Sequence, residues 1–117
     1  MNLALEVCVD QDATLIYCRG RIVYREEAAA LSEKVAELLP KTRRLVLDLN
    51  GVEMIDSAGL GELVLLYLWA QAAGCSVRLA RPPAEICRLL ELTNLASVFE
   101  IHSSVESAVS SSRAQVA

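Results

Sequence analysis

One serine hydroxyl stands in a sequence setting that is suited to chemistry. Ser57 follows Asp56 and precedes Ala58-Gly59-Leu60-Gly61, after a run typical of a buried strand and before a strongly apolar segment of helical length. This order places Ser57 at the N-terminus of a predicted helix, where free backbone N–H groups and the helix dipole favour an added negative charge. The setting therefore indicates a modification site rather than a catalytic one. A serine that only caps the helix is the simpler interpretation, and one residue can do both.

The other reactive side chains do not assemble into a catalytic site. Asp48 and Glu53 are carboxylates on a predicted strand end and loop, and neither has a nucleophile and a base beside it in the sequence. His102, the only histidine, is remote from the serine, and we expect it on the surface. Gly59 and Gly61 fit neither glycine pattern of nucleotide-binding loops, so we interpret them as small residues that allow a partner close to the backbone. We predict a binding protein, not an enzyme, and no cofactor.

Composition and length limit the classes of protein that the chain can be. Its 117 residues, 54% hydrophobic and 22% charged, suffice for one packed domain, which we assign to residues 1–117 with a core over 3–110 and a frayed tail over 111–117. The net charge of −4 argues against nucleic-acid binding. The longest apolar run, 63–70, is too short to span a membrane.

Cysteine usage bears on metal binding and on the cellular compartment. The scattered cysteines include no C-x-x-C pair, so we predict no metal site. No signal-peptide pattern precedes them, and reduced thiols in a cytoplasmic protein are the interpretation that we adopt. The four residues are Cys8, Cys18, Cys75 and Cys87.

The elements that must position Ser57 follow from hydrophobic periodicity. Alternating apolar residues, a Gln11-Asp12 turn and a second strand that ends at Gly20 predict a hairpin, and strands then alternate with helices. This order predicts an α/β domain with a mostly parallel central sheet and helices packed on it. The predicted strands are Leu3–Val9, Thr14–Arg19, Arg44–Leu49, Ser76–Ala80 and Val98–Ile101, and the predicted helices are Glu26–Leu39, Ser57–Ala73, and segments that begin at Pro82-Pro83 and at Ser103.

The predicted helix after Ser57 is apolar around most of its circumference. One face carries Leu60, Val64, Tyr67 and Gln71, and the opposite face carries Glu62, Leu66, Trp69 and Ala73. A surface helix normally places charge on its outer face. Leu66 and Trp69 are therefore either covered by another element of the chain or exposed as a patch, which would bind a partner or a second copy in a homodimer.

The order of these motifs resembles the STAS domain, the family of the anti-sigma factor antagonists. The resemblance covers about residues 3–110 and rests chiefly on Ile55-Asp56-Ser57-Ala58-Gly59-Leu60-Gly61, which follows the apolar strand Leu45–Leu49. The remaining matching positions are Gly20, Gly74, Arg88–Thr93, Leu95 and Phe99. The resemblance implies a single STAS-like domain over nearly the whole chain.

The resemblance also implies a regulatory function. In such proteins a serine kinase that is also an anti-sigma factor phosphorylates the serine after the aspartate, here Ser57. The unphosphorylated antagonist binds this kinase and frees the sigma factor, and a phosphatase resets the switch. The alternative is a STAS scaffold or regulatory subunit of a lipid-transport or sensory complex without a sigma factor. The implied partner-binding residues are Asp56, Ala58, Gly59, Leu60, Gly61 and Tyr24.

Two positions depart from the family pattern. A short apolar-acidic turn is usual after Gly20, whereas this chain has Arg21-Ile22-Val23-Tyr24-Arg25 and no acid until Glu26. This loop lies near the serine in the family fold, so the departure indicates a divergent kinase or altered regulation. Asn94 stands where glycine is common, and asparagine tolerates the left-handed backbone conformation.

Overall fold

The chain forms one five-stranded sheet, and the computed structural model describes residues 3–114. The strands lie in sequence order across the sheet; β1 and β2 are antiparallel, and every later pair is parallel. The predicted α/β class with an initial hairpin is therefore confirmed. The elements are β1 (Leu3–Asp10), β2 (Ala13–Ile22), α1 (Arg25–Leu38), β3 (Arg44–Ile55), α2 (Ser57–Ala72), β4 (Ser76–Ala80), α3 (Ala84–Leu92), β5 (Glu100–His102) and α4 (Val105–Ala114), with 3₁₀ turns at Leu39–Lys41 and Leu95–Ser97.

The turn of the first hairpin uses left-handed backbone at both of its residues. Gln11 has φ of 51° and Asp12 has φ of 74°. Positive φ at both central residues is the requirement of a two-residue type I′ turn, whose twist matches that of the flanking strands. The pairing confirms the hairpin, because Asp10 lies opposite Ala13 and Leu3 lies opposite Gly20.

The two strands that lead to Ser57 are longer than predicted. β2 continues beyond Gly20 to Ile22, and β3 continues beyond Leu49 to Ile55. Gly20 does not end its strand; instead the pairing register shifts beside it, as at a β-bulge. Parallel pairing accounts for both extensions, because Ile22 pairs with Ile55 where the two strands end. The extended pair carries the backbone to the residue before Ser57.

Helices α1, α2 and α3 bury their apolar faces in one core, whereas α4 packs on a separate, smaller core. The larger core joins these three helices to β2, β3 and β4. The smaller one joins Ala108 and Val109 of α4 to Leu15 and Val46. Because both faces of the sheet are covered, β3 is buried at every position from 45 to 49, as expected for a central parallel strand. This packing anchors the strand that precedes α2.

The last strand begins later than predicted. β5 starts at Glu100 rather than at Val98, because the Val98 N–H donates to the Leu95 carbonyl at 3.0 Å within the preceding 3₁₀ turn. That turn follows Asn94, whose φ of 65° is the left-handed conformation predicted for this position. A local hydrogen bond therefore takes the donor that the strand would have used.

The final helix begins two residues after the predicted start at Ser103. The Ser104 Oγ accepts a hydrogen bond from the Ser107 N–H at 3.0 Å and so caps a helix that starts at Val105. α4 then continues to Ala114, into the first part of the predicted tail 111–117. The rest of the tail lies outside the residues that the structure describes.

Candidate functional site

The start of α2 is set by its capping residue, which is Asp56. Its Oδ1 accepts a hydrogen bond from the Gly59 N–H at 2.9 Å, and its carbonyl accepts from the Leu60 N–H at 2.9 Å. Ser57 is therefore the first helical residue. Its side chain is exposed, and its hydroxyl makes no hydrogen bond to residues 3–114. Because the neighbouring acid takes the capping role, the Ser57 hydroxyl is available.

The second oxygen of Asp56 ties α2 to the turn between β2 and α1. Oδ2 accepts a hydrogen bond from the Tyr24 N–H at 3.0 Å, and the Asp56 N–H donates to the Ile22 carbonyl at 3.4 Å. The N–H groups of Tyr24 and Gly59 hold the pKa of the Asp56 carboxyl below its ordinary value. The carboxylate is therefore ionised at neutral pH, and both of its oxygens are engaged in holding the backbone.

Tyr24 has a strained backbone. Its φ of 58° and ψ of 151° lie in a region that is essentially confined to glycine, at a cost of about 1–3 kcal/mol for other residues. The residue is 64% exposed, so its ring is not buried in the core. The Tyr24 carbonyl accepts the first hydrogen bond of α1, from the Ala28 N–H at 2.9 Å. The turn thus presents an aromatic side chain while its backbone is bonded to the residue before Ser57.

The two glycines of the motif differ in how closely the rest of the chain approaches them. A Cβ at Gly59 would lie 2.0 Å from the Ile22 carbonyl oxygen and 2.9 Å from Ile55 Cγ2, so α2 can approach β2 only with glycine there. Gly59 is buried, so its missing side chain serves the packing of α2 on β2. A Cβ at Gly61 would meet no atom of the described chain within 4 Å, and Gly61 is exposed. Of the two glycines, only Gly61 lies on the surface that a partner can approach.

An uncharged stripe runs along the outer face of α2 from the serine. Four exposed residues follow one another at helical spacing and extend about 16 Å along the axis. Leu68, the last of them, is 56% exposed. Met54 at the end of β3 is a further exposed apolar residue close to this region in sequence. We call this set the α2 stripe: Ser57, Gly61, Val64 and Leu68.

Leu66 and Trp69 do not form one face with a single role. Leu66 is fully buried in the main core, whereas Trp69 is 37% exposed at the rim of the helix. The buried face consists of Gly59, Leu63, Leu66 and Ala70, of which only Leu66 belongs to a face inferred from sequence. The first alternative, coverage by the same chain, is therefore correct for Leu66, and only Trp69 stays accessible.

The remaining reactive groups are engaged elsewhere. The two oxygens of Asp48, which is buried, accept hydrogen bonds from the Arg81 guanidinium at 2.9 and 2.7 Å. His102 bonds to Glu100 and Ser107 at 2.9 Å each, at the edge of the sheet. Among residues 3–114, no group of three or more His, Cys, Asp and Glu is arranged to hold a metal ion. Within the same residues, no helix combines the length and apolarity needed to cross a bilayer.

The sequence interpretation named most of this surface but missed its apolar part. Asp56 and Tyr24, both named from the resemblance, are joined by a hydrogen bond, and Ala58 and Leu60 are half-buried beside them. Val64 and Leu68 of the α2 stripe were not identified as part of this surface. Their spacing from Ser57, at seven and eleven residues, is the helical period that would have found them.

Known proteins resemble the chain over nearly its whole length. It is 28% identical over 110 residues to the anti-sigma-B factor antagonist of Bacillus subtilis (strain 168), an alignment that covers 93% of this chain and 99% of that protein. Its fold is similar to the crystal structure of an anti-sigma factor antagonist from Mycobacterium paratuberculosis, with a TM-score of 0.77, 23% identity, and coverage of 95% of this chain and 94% of that one.

A part of a much larger protein has the same fold. The murine anion transporter Slc26a9 in its inward-facing state superposes with a TM-score of 0.77 at 16% identity, over 88% of this chain and 18% of the transporter. The family model of the STAS domain matches residues 4–108. This match spans both strands that lead to Ser57, the whole of α2 and most of the remaining fold, and the chain belongs to the STAS domain family.

Proposed function

We propose that the protein is an anti-sigma factor antagonist, a cytoplasmic binding protein without catalytic activity that phosphorylation of Ser57 switches off. Unphosphorylated, it binds an anti-sigma factor that is also a serine kinase, and the sigma factor is released. The kinase transfers the γ-phosphoryl group of ATP to the Ser57 Oγ, which loses its proton as ADP leaves. A phosphatase then hydrolyses the phosphoserine with water, which restores the hydroxyl and releases inorganic phosphate. The observation that carries the proposal is the exposed, unbonded Ser57 hydroxyl at the start of α2.

The electrostatics of this position suit a reversible charge switch. Phosphorylation adds about −1.5 to −2 charges at neutral pH. The N-terminus of α2 tolerates them, so the fold should survive. A partner packed against the uncharged α2 stripe would have to bury this dianion beside the ionised Asp56, which is unfavourable without a compensating cation. Loss of binding therefore needs no rearrangement of the whole domain.

The surface proposed for the kinase combines the residues implied by the resemblance with the α2 stripe. Tyr24 and Gly61 are exposed, and Ala58 and Leu60 are half-buried around Ser57. Asp56 and Gly59 support this surface from within, since the carboxylate is bonded on both oxygens and the glycine is buried. The exposed apolar residues of the stripe extend the surface away from the serine.

Capture of the partner and mapping of the phosphate test the proposal. We expect a pull-down from the native host to retain a histidine-kinase-like ATPase, and incubation with this protein and ATP to phosphorylate Ser57 alone. Ser57→Ala should bind the kinase and stay bound when ATP is added. Ser57→Asp should bind the kinase at least tenfold more weakly than the wild type. Ser103→Ala, which changes another exposed serine, is the matched control. Phosphate found on Ser103, or wild-type binding by Ser57→Asp, contradicts the proposal.

A second pair of variants tests the α2 stripe. Leu68→Glu places a charge on the stripe, and Leu92→Glu places the same charge on an exposed leucine of α3. We expect at least a tenfold loss of kinase affinity for Leu68→Glu only, because burying an unpaired carboxylate in an interface is costly. Equal affinities would remove the stripe from the interface.

Sedimentation of both variants also tests the predicted homodimer. A partner that is not a kinase would favour the scaffold alternative.

A further inference from the structure

The turn at Tyr24 is held in an unfavourable conformation by bonds at both of its backbone groups. Its φ of 58° and ψ of 151° suit glycine, not tyrosine. The N–H donates to Asp56 Oδ2 at 3.0 Å, and the carbonyl accepts from the Ala28 N–H at 2.9 Å. The second bond belongs to α1 itself. The bond to Asp56 is therefore the tertiary contact that opposes the strain.

The Asp56 carboxylate divides its two oxygens between unequal partners. Oδ1 accepts from Gly59 N–H, three residues along the chain and within the helix that it caps. Oδ2 accepts from Tyr24 N–H, which is 32 residues away in sequence and lies on another element. The geometry of α2 favours the bond to Gly59, whereas the bond to Tyr24 holds the turn in a strained conformation. If the carboxylate must give up one bond, it is the bond to Tyr24.

A phosphoryl group on Ser57 would impose that choice. Ser57 follows Asp56 directly, so the new oxygens stand beside the carboxylate. The two anions repel each other. This repulsion pushes the Asp56 carboxylate away from its present position between Gly59 and Tyr24.

We propose that the Tyr24 turn is a conformational switch that the Asp56 carboxylate holds in its strained form and that a phosphoryl group on Ser57 releases. The inference rests on Ser57 as the phosphoacceptor proposed above. On release the turn relaxes to a negative φ, and the exposed Tyr24 side chain changes direction. Phosphorylation then alters the shape of the partner surface as well as its charge.

Amide hydrogen exchange on the full chain tests this switch without a kinase. Phosphoserine is inserted at position 57 during translation, and exchange at each amide is measured by NMR beside the unmodified protein. We expect the Tyr24 amide to exchange at least tenfold faster in the phosphorylated protein. The Leu60 amide, which is bonded to the Asp56 carbonyl, should change less than threefold. Unchanged exchange at Tyr24 overturns the proposal.

Two variants of Tyr24 separate strain from loss of the ring. Tyr24→Gly removes the strain, so its residue-24 amide should stay bonded, and phosphorylation should change its exchange less than threefold. Tyr24→Ala also removes the ring but keeps the unfavourable φ, so it should respond like the wild type. Equal responses of the two variants overturn the role of strain. A kinase that failed to bind would refute the proposed function and leave these exchange results unaffected.

Discussion

Alanine at Gly59 should destabilise the protein, whereas alanine at Gly61 should stabilise it. A Cβ on Gly59 would lie 2.0 Å from the Ile22 carbonyl oxygen, and ordinary contact begins at 3.4 Å. The backbones of α2 and β2 would therefore have to separate by more than an ångström. Neither yields easily, because the Asp56 N–H donates to the same Ile22 carbonyl and thereby ties the two elements together.

The expected magnitudes follow from packing and helix propensity. Overpacking against fixed backbone costs about 3 kcal/mol, and alanine in place of helical glycine returns about 1 kcal/mol. Gly59→Ala should thus lower the free energy of unfolding by about 2 kcal/mol. The Cβ added in Gly61→Ala meets no described atom within 4 Å. Only the gain in helix propensity remains, which should raise the free energy of unfolding by about 0.5–1 kcal/mol. In a domain of this size the two melting temperatures should differ by about 10 °C.

Urea and thermal unfolding, followed by far-UV circular dichroism, measure both variants against the wild type. The fluorescence of Trp69, the only tryptophan, is a second probe of the same transition. If Gly59→Ala unfolds at the wild-type midpoint, the close approach of α2 to β2 does not constrain the fold, and the reasoning is wrong. Gly61→Ala is the matched control, since it makes the same chemical change two residues along the same helix.

Three further measurements test the burial and ionisation described above. Leu66→Ala should cost about 2–5 kcal/mol of stability, and Trp69→Ala should cost less, because only Leu66 is fully buried; equal melting temperatures would contradict this. The lowered pKa of Asp56 makes its stabilisation present above about pH 4 and lost as the pH falls further, so the melting-temperature gap to Asp56→Asn should close in acid. Burial raises the pKa of the Cys18 thiol to about 12, so iodoacetamide at neutral pH should label the exposed Cys8 and spare Cys18 until urea unfolds the chain.

The sequence by itself determined the class of fold and the position of the serine. Alternation of apolar residues in β1 and the continuous apolar run of β3 distinguish an edge strand from a central parallel strand. Local signals also sufficed for the hairpin turn and for the left-handed Asn94. They sufficed as well for a helix that starts at Ser57, because each depends on residues within a few positions of one another.

Only the tertiary structure decided how the site is held together. The hydrogen bond from Tyr24 to Asp56 joins residues that are 32 positions apart, and no local pattern contains it. The need for glycine at position 59 likewise comes from the carbonyl of Ile22 in another element. The sequence did not decide whether Leu66 is buried, because the helix is apolar around most of its circumference. Periodicity shows which faces can be buried, but packing of distant segments selects the face that is.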